Sequence, residues 1–186
     1  MITSEQQYEL NLPAFSQITL PTFNGFGDDH LPFNYMRLDK IDHIFKPEYL
    51  NLLNLDWCKL SYFKKTNFSG ALHSDAIVPE DLMFGINWID GGDGIMEFYD
   101  HAEVAVDGIT DGSLNKDNWG VVTKYKPIRA PSKQYVMKNN KAYLVNVSTI
   151  HRAIGIGSRK CYSLRTDDRH IPWDEIVKLF NNLIVK

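Results

Sequence analysis

Between residues 57 and 167 apolar and polar residues alternate repeatedly with a period of two, the signature of strands that bury one face. Over residues 57–65 the residues Cys58, Leu60 and Tyr62 fall on one side, and Lys59 and Ser61 on the other. Similar short runs occupy residues 68–76, 82–89, 95–99, 119–130, 134–147, 151–156 and 160–166. Glycine, proline, asparagine and serine separate them, as at Asp90-Gly91-Gly92-Asp93-Gly94, Pro131-Ser132, Asn139-Asn140 and Gly157-Ser158. Those residues supply turn conformations or interrupt a ladder. About eight short strands punctuated this way predict a mainly β chain closed into an antiparallel jelly-roll barrel.

The period changes at both ends. Residues 1–45 hold no lasting pattern, and Pro13, Pro21, Pro32, Gly25 and Gly27 break any long element. Short strands are expected at 17–20 and 34–38, and a short helix at 47–55. Residues 172–185 read as an amphipathic helix, with proline near its start and Asp174 and Glu175 in the first turn. Its apolar stripe is Ile176, Val177, Leu179, Phe180, Leu183 and Ile184, a face expected to dock on the barrel. The chain is therefore expected to form one domain: an irregular extension over 1–56, a jelly-roll core over 57–167 and a helix over 172–185.

Composition narrows the class. With 186 residues, 44% hydrophobic and 23% charged, the chain suits one soluble globular domain. No apolar run reaches membrane-spanning length, and the first residues lack the pattern of a secretory signal. The two cysteines, Cys58 and Cys161, lie in predicted strands and read as reduced core residues of a cytoplasmic protein. A net charge of −3 gives no nucleic-acid footprint. That average hides an asymmetry. Residues 118–166 hold ten Lys or Arg and no Asp or Glu, so the remainder carries −13 to reach the total of −3. Such a stretch is either the solvated side of strands or an attractor for anions, and both can hold together.

The chemistry centres on Leu72-His73-Ser74-Asp75. In a strand His73 and Asp75 leave the same face, giving one imidazole and one carboxylate side by side. A second imidazole completes a two-histidine, one-carboxylate facial set that leaves positions on iron(II) open. His151, which follows the apolar run 142–147, is the best candidate for it. Alternation also places Ser163 and Arg165 on one face. A guanidinium beside a hydroxyl suits a carboxylate, which the fork binds through two parallel hydrogen bonds. Ser74 is turned away from both neighbours and is no nucleophile. Zinc in a hydrolase could use the same ligands but leaves Arg165 without a role. His101, beside Asp100, is the rival ligand, with an exposed loop histidine as the simpler reading. Asp28, Asp29 and His30 read as a solvated turn. Residues 107–117 read as a long surface loop, without calcium-loop spacing and suited to a rim or lid.

His73-x-Asp75, His151 and Arg165, in this order, resemble the signature of the iron(II)/2-oxoglutarate-dependent dioxygenases. The stretch from Asn87 to Phe98, with its glycine hairpin, is similar to the central hairpin of the prolyl-hydroxylase-like branch. The likeness covers roughly residues 57–167 and implies a double-stranded β-helix of the cupin-like kind. It implies iron(II) held by His73, Asp75 and His151, with 2-oxoglutarate as cosubstrate and O2 as oxidant. Arg165, with Ser163, would bind the far carboxylate of 2-oxoglutarate. The resemblance also implies a tyrosine donor to the cosubstrate, for which Tyr62 stands in the matching region; a core tyrosine is the other reading. Asn87, an amide in a mostly apolar strand, needs either a structural bond or a ligand, and the sequence does not choose. Asn146 is expected to bond backbone near His151. Asp75 favours hydroxylation, because related halogenases resemble this pattern with a small residue there.

The expected activity is hydroxylation of an unactivated C–H bond in a small molecule or peptide, such as a peptidyl or free amino acid like proline. Two alternatives stay open. One is a non-catalytic jelly-roll binding module, and the other a cupin-type metalloenzyme that does not use 2-oxoglutarate.

Overall fold

The computed structural model describes residues 4–13, 33–38, 58–66, 70–76, 82–110, 122–155, 158–166 and 171–186, some strands by their backbone course alone. Twelve strands are described: β1 (Gln7–Leu10), β2 (Phe33–Leu38), β3 (Cys58–Thr66), β4 (Leu72–Ser74), β5 (Phe84–Asp90), β6 (Gly94–Tyr99), β7 (Val104–Thr110), β8 (Val122–Pro127), β9 (Lys133–Met137), β10 (Ala142–Asn146), β11 (Ile150–Gly155) and β12 (Ser158–Thr166). Among the described residues one α-helix, α1 (Trp173–Leu179), follows them, and one 3-10 turn, His101–Glu103, leads into β7. The strands form two six-stranded sheets, ordered β1-β10-β5-β12-β3-β2 and β7-β8-β4-β11-β6-β9. Every described pairing is antiparallel. The chain is a mainly β jelly roll, a double-stranded β-helix with a C-terminal helix, as the alternation predicts.

Pleating decides what the sheets enclose. Ile89, Tyr143, Val145 and Cys161 from one sheet pack with Met96, Phe98 and Met137 from the other, and all are nearly inaccessible to solvent. Each such side chain contributes roughly 1.5–3 kcal/mol by leaving water, which is what holds the two layers face to face. The alternate residues of the first sheet, Phe84, Ile86 and Trp88, point outward and are covered as well. Part of that cover is α1. Ile176 and Phe180 are buried, and the Phe180 ring meets Phe84 edge-on with centroids 6.2 Å apart. The segment after α1 returns to β1, where Asn11 N–H donates to Leu183 O at 2.6 Å and Val185 N–H to Glu9 O at 2.9 Å.

The helix is shorter than its periodicity suggests. It ends at Leu179, which is 66% exposed, so the apolar stripe narrows to Ile176 and Phe180 before the chain turns. The expectation of irregular chain through residue 45 fails at its start. Residues 7–10 add β1 to the edge of β10, an edge that would otherwise present unpaired backbone. The predicted strand at 34–38 is β2. The strand expected at 17–20, the turn at 28–30 and the helix at 47–55 lie outside the described residues. The loop expected at 107–117 is strand through Thr110, with a bulge between Val106 and Gly108. The two turns at 90–94 and 138–141 lock together: Gly91 N–H donates to Asn139 Oδ1 and Asn139 N–H to Asp93 Oδ1. Gly91 (φ 86°) and Asn140 (φ 59°) take the left-handed conformation these turns require.

Candidate metal centre

His73 lies in β4, and Asp75 lies just past its end. His151 lies at the start of β11, directly paired with His73. On its other side His151 pairs with Phe98, which is wholly buried between the sheets, so this row faces the interior. A donor atom from each of His73, Asp75 and His151 lies within 4.8 Å of the other two. Although 76 positions part Asp75 from His151, antiparallel pairing brings them to one point. His151 is buried, while the His73 and Asp75 side chains are 29% and 22% exposed, which leaves the cluster open on one side.

The hydrogen bonds set which atoms are offered. His73 Nδ1 lies 2.7 Å from Ala71 O, and His151 Nδ1 lies 2.8 Å from Thr149 O. A carbonyl oxygen only accepts, so each Nδ1 carries the donated hydrogen and each Nε2 is the ring atom left to bind. His73 Nε2 stands 3.2 Å from Asp75 Oδ1. In a neutral ring these are two lone-pair atoms, and they repel at that separation unless a positive charge sits between them. Donors placed at right angles about 2.1 Å from one cation are themselves about 3 Å apart. The His73–Asp75 spacing, the Nδ1 hydrogen bonds and the donor types suit a divalent metal, and fixing the ring through its other nitrogen is the usual support for a metal-binding histidine.

A polar network holds the turn before His151. Gln6, buried ahead of β1, accepts at Oε1 from Asn146 Nδ2 at 2.8 Å and from Thr149 Oγ1 at 2.9 Å. Ser148 Oγ donates to Asn146 Oδ1 at 2.7 Å. Ser74 Oγ donates to Ser148 O, and Asp75 N–H donates to Val147 O, tying the first ligand strand to the same turn. Asn146 thus bonds side chains rather than the backbone expected of it. Gln6 and Thr149 have no motif that marks them in sequence. Only the fold brings residue 6 to residue 149.

Behind the histidine row, on the opposite face of its sheet, lies a second network. Buried Glu97 accepts from Tyr99 Oη at 2.7 Å, Gln134 Nε2 at 2.7 Å and Arg152 Nε at 2.5 Å. Burial pushes the Glu97 carboxyl up, but these three donors and the Arg152 charge outweigh it and hold it below the ordinary range. Burial, joined by the Glu97 carboxylate, pushes the Tyr99 phenol up to about 12. Glu97, Arg152 and Gln134 are register partners across β6, β11 and β9, so the network clamps the strand that carries His151.

The other residues singled out in sequence separate by strand phase. Ser163 pairs with Asn87, and Arg165 with Gly85, in the first sheet. Both share the phase of Cys161, whose side chain is buried in the core between the sheets. Asn87 is buried at 3% exposure on that phase. Tyr62 pairs with Tyr162, which pairs with Trp88, one step out of register with Ser163. Tyr62 therefore stands on the alternate phase of the ladder to Ser163 and Arg165. His101 is exposed on the 3-10 turn, its ring edge-on to Tyr125 at 6.3 Å, and takes no part in the cluster.

No protein-family model matches the chain, and no curated protein matches it in sequence. Solved structures match in fold. One is a cupin 2 domain-containing protein from Halorhodospira halophila, at TM-score 0.41 and 7% identity over 95% of this chain and 90% of that one. Another is ycfD of E. coli, at TM-score 0.45 and 10% identity over 95% of this chain and 45% of that one. The coconut allergen cocosin matches at TM-score 0.41 and 9% identity over 90% of this chain and 40% of that one. The chain thus spans less than half of the last two. Among the described residues no helix is long and apolar enough to cross a membrane.

Proposed function

We propose that this chain is an iron(II)- and 2-oxoglutarate-dependent oxygenase that hydroxylates an unactivated C–H bond. The observation that carries the reading is the pair of histidines, each tied through Nδ1 to a carbonyl, gathered with Asp75 within 4.8 Å. His73, Asp75 and His151 would hold the metal. Three ligands on one side of an ion that takes six leave room for a chelating cosubstrate and for O2. When bound, iron and 2-oxoglutarate together supply the activation of dioxygen that no side chain can.

The protein contributes placement. The histidine row belongs to one sheet, whereas Ser163 and Arg165 belong to the facing one. Packed sheets lie about 10 Å apart. A five-carbon dicarboxylate is long enough to reach from a metal on one wall to a guanidinium on the other, so Arg165 and Ser163 are assigned its far carboxylate. Asn87, the buried register partner of Ser163, is assigned to the same pocket wall. The buried apolar cluster of Met96, Phe98 and Tyr143 lies between the same two sheets and would keep water away from a cosubstrate held there. The substrate is assigned to the small molecules and peptides, an amino acid side chain such as that of proline among them. The buried Cys161, outside any disulfide, suits a reducing, cytoplasmic setting.

The reading is tested by following succinate release from 2-oxoglutarate in air with and without iron(II). Iron-dependent release that Asp75→Ala removes supports it. Metal binding with complete indifference to 2-oxoglutarate replaces it with a cupin-type metalloenzyme of other chemistry. No metal uptake at all leaves a jelly-roll binding module.

A further inference from the structure

The histidine row does not stop at β4. His151 pairs with His73, His73 pairs with Lys124 on β8, and Lys124 pairs with Gly108 on β7. Directly paired residues in antiparallel strands project to one face, so the Lys124 side chain leaves the sheet on the same face as the two imidazoles, from a backbone one strand spacing (about 4.8 Å) beyond that of His73. Lys124 is half-buried, and among the described residues no carboxylate forms an ion pair with it. The next position, Gly108, is open: a Cβ there would meet nothing within 4 Å. The row therefore runs from buried His151, past half-buried His73 and Lys124, to Gly108, where a side chain would meet nothing within 4 Å.

A lysine on the same face as the ligands of a dication is electrostatically unfavourable unless an anion lies between or beside the two charges. Four methylenes let its head swing over whatever occupies the open side of the metal centre. The charge is single, and it matches a carboxylate. The stretch of chain that contains it, residues 118–166, carries ten cations and no acid, a composition that favours anions.

We propose that Lys124 anchors the primary substrate, and that this substrate carries a free carboxylate, as an unblocked amino acid does. The β7–β8 hairpin then serves as the substrate-binding wall, adding a cation to the open flank of the ligand strand. This assignment rests on the oxygenase reading above and narrows its substrate to a carboxylate-bearing molecule.

The test uses 15N-labelled protein loaded with zinc(II) as a redox-inert ion and saturated with 2-oxoglutarate. It is titrated with N-acetylglycine and with its neutral counterpart N-acetylglycinamide, while the Lys124 and Gly108 amide signals are followed. The acid should shift both signals saturably, and the amide should bind on the order of ten-fold more weakly or worse. Lys124→Met should erase the difference and Lys124→Arg should keep it, with zinc and 2-oxoglutarate affinities unchanged in both. Equal binding of acid and amide by the wild type overturns the proposal, as does a preference that survives in Lys124→Met. Weakened 2-oxoglutarate binding in Lys124→Met also overturns it, because the lysine would then serve the cosubstrate. Failure of the wild type to take up zinc or 2-oxoglutarate defeats the oxygenase reading itself, an outcome distinct from loss of the anion preference alone.

Discussion

His73 and His151 stand side by side on paired strands with ring centroids 4.6 Å apart, and each donates Nδ1–H to the carbonyl two residues before it. The two rings are thus fixed by the same local device, although one sits in β4 and the other in β11. The repetition leaves the Nε2 of each ring as the atom offered to the cluster with Asp75.

If that arrangement is a metal site, metal must stabilise the fold. At a free concentration 100 times the dissociation constant, binding adds about 2.7 kcal/mol, which for a chain of this length raises Tm by roughly 5–10 °C. Manganese(II) or zinc(II) in a thermal melt should show the rise in wild type. His73→Ala, Asp75→Ala and His151→Ala should each abolish it.

Gln6 acts on the site from a distance. Gln6→Ala removes the acceptor shared by Asn146 and Thr149 and loosens the turn whose carbonyl holds His151. The expected result is a metal affinity weakened by up to about ten-fold with little change in circular dichroism. Chelator competition measures it, and unchanged affinity would remove Gln6 from that role.

The Glu97 network predicts a pH dependence of stability. The Glu97 carboxyl titrates below its ordinary 4.5 when folded. Its contribution is therefore complete above 4.5 and is lost as pH falls through the lower folded value. Tyr99, raised from 10.0 to about 12, acts in the opposite direction. Its contribution is complete below 10 and is lost as pH rises toward 12. Glu97→Ala should cost about 2 kcal/mol by urea unfolding at pH 7 and should flatten the acid limb. An acid limb identical to wild type would show that the network carries no stability.

Much of the fold was legible because burial on one face writes a period of two into each strand. The strand pairs around Asp90–Gly94 and Asn139–Asn140 stand out for that reason. His73 and Asp75 were legible through spacing within one strand, and His151 through its place after the run at 142–147. What escaped depends on distant pairing. Strand β1 is four residues long with buried Gln7 beside Leu10, too short and too polar to announce itself. The phase of Tyr62 against Ser163 is a fact of register between strands about 100 positions apart, which no local pattern encodes. Lys124 reads as one more cation in a basic stretch until β8 is laid against β4. The sequence period also ran on through 172–185, whereas the chain turns after Leu179 to pair with β1.

Arg165→Ala should weaken 2-oxoglutarate binding by about 10- to 100-fold, since a charge-assisted bidentate pair is removed, while metal affinity stays within about two-fold. Isothermal titration of the metal-loaded protein separates the two quantities. Equal 2-oxoglutarate affinity in variant and wild type would take the arginine out of the cosubstrate site.

The most direct test of the whole account is an anaerobic titration of the purified protein with iron(II) and then 2-oxoglutarate, followed by visible absorption. The account predicts a weak charge-transfer band that needs both additions and is absent from Asp75→Ala. A wild-type protein that binds no iron(II), or binds it with a spectrum untouched by 2-oxoglutarate, would contradict it.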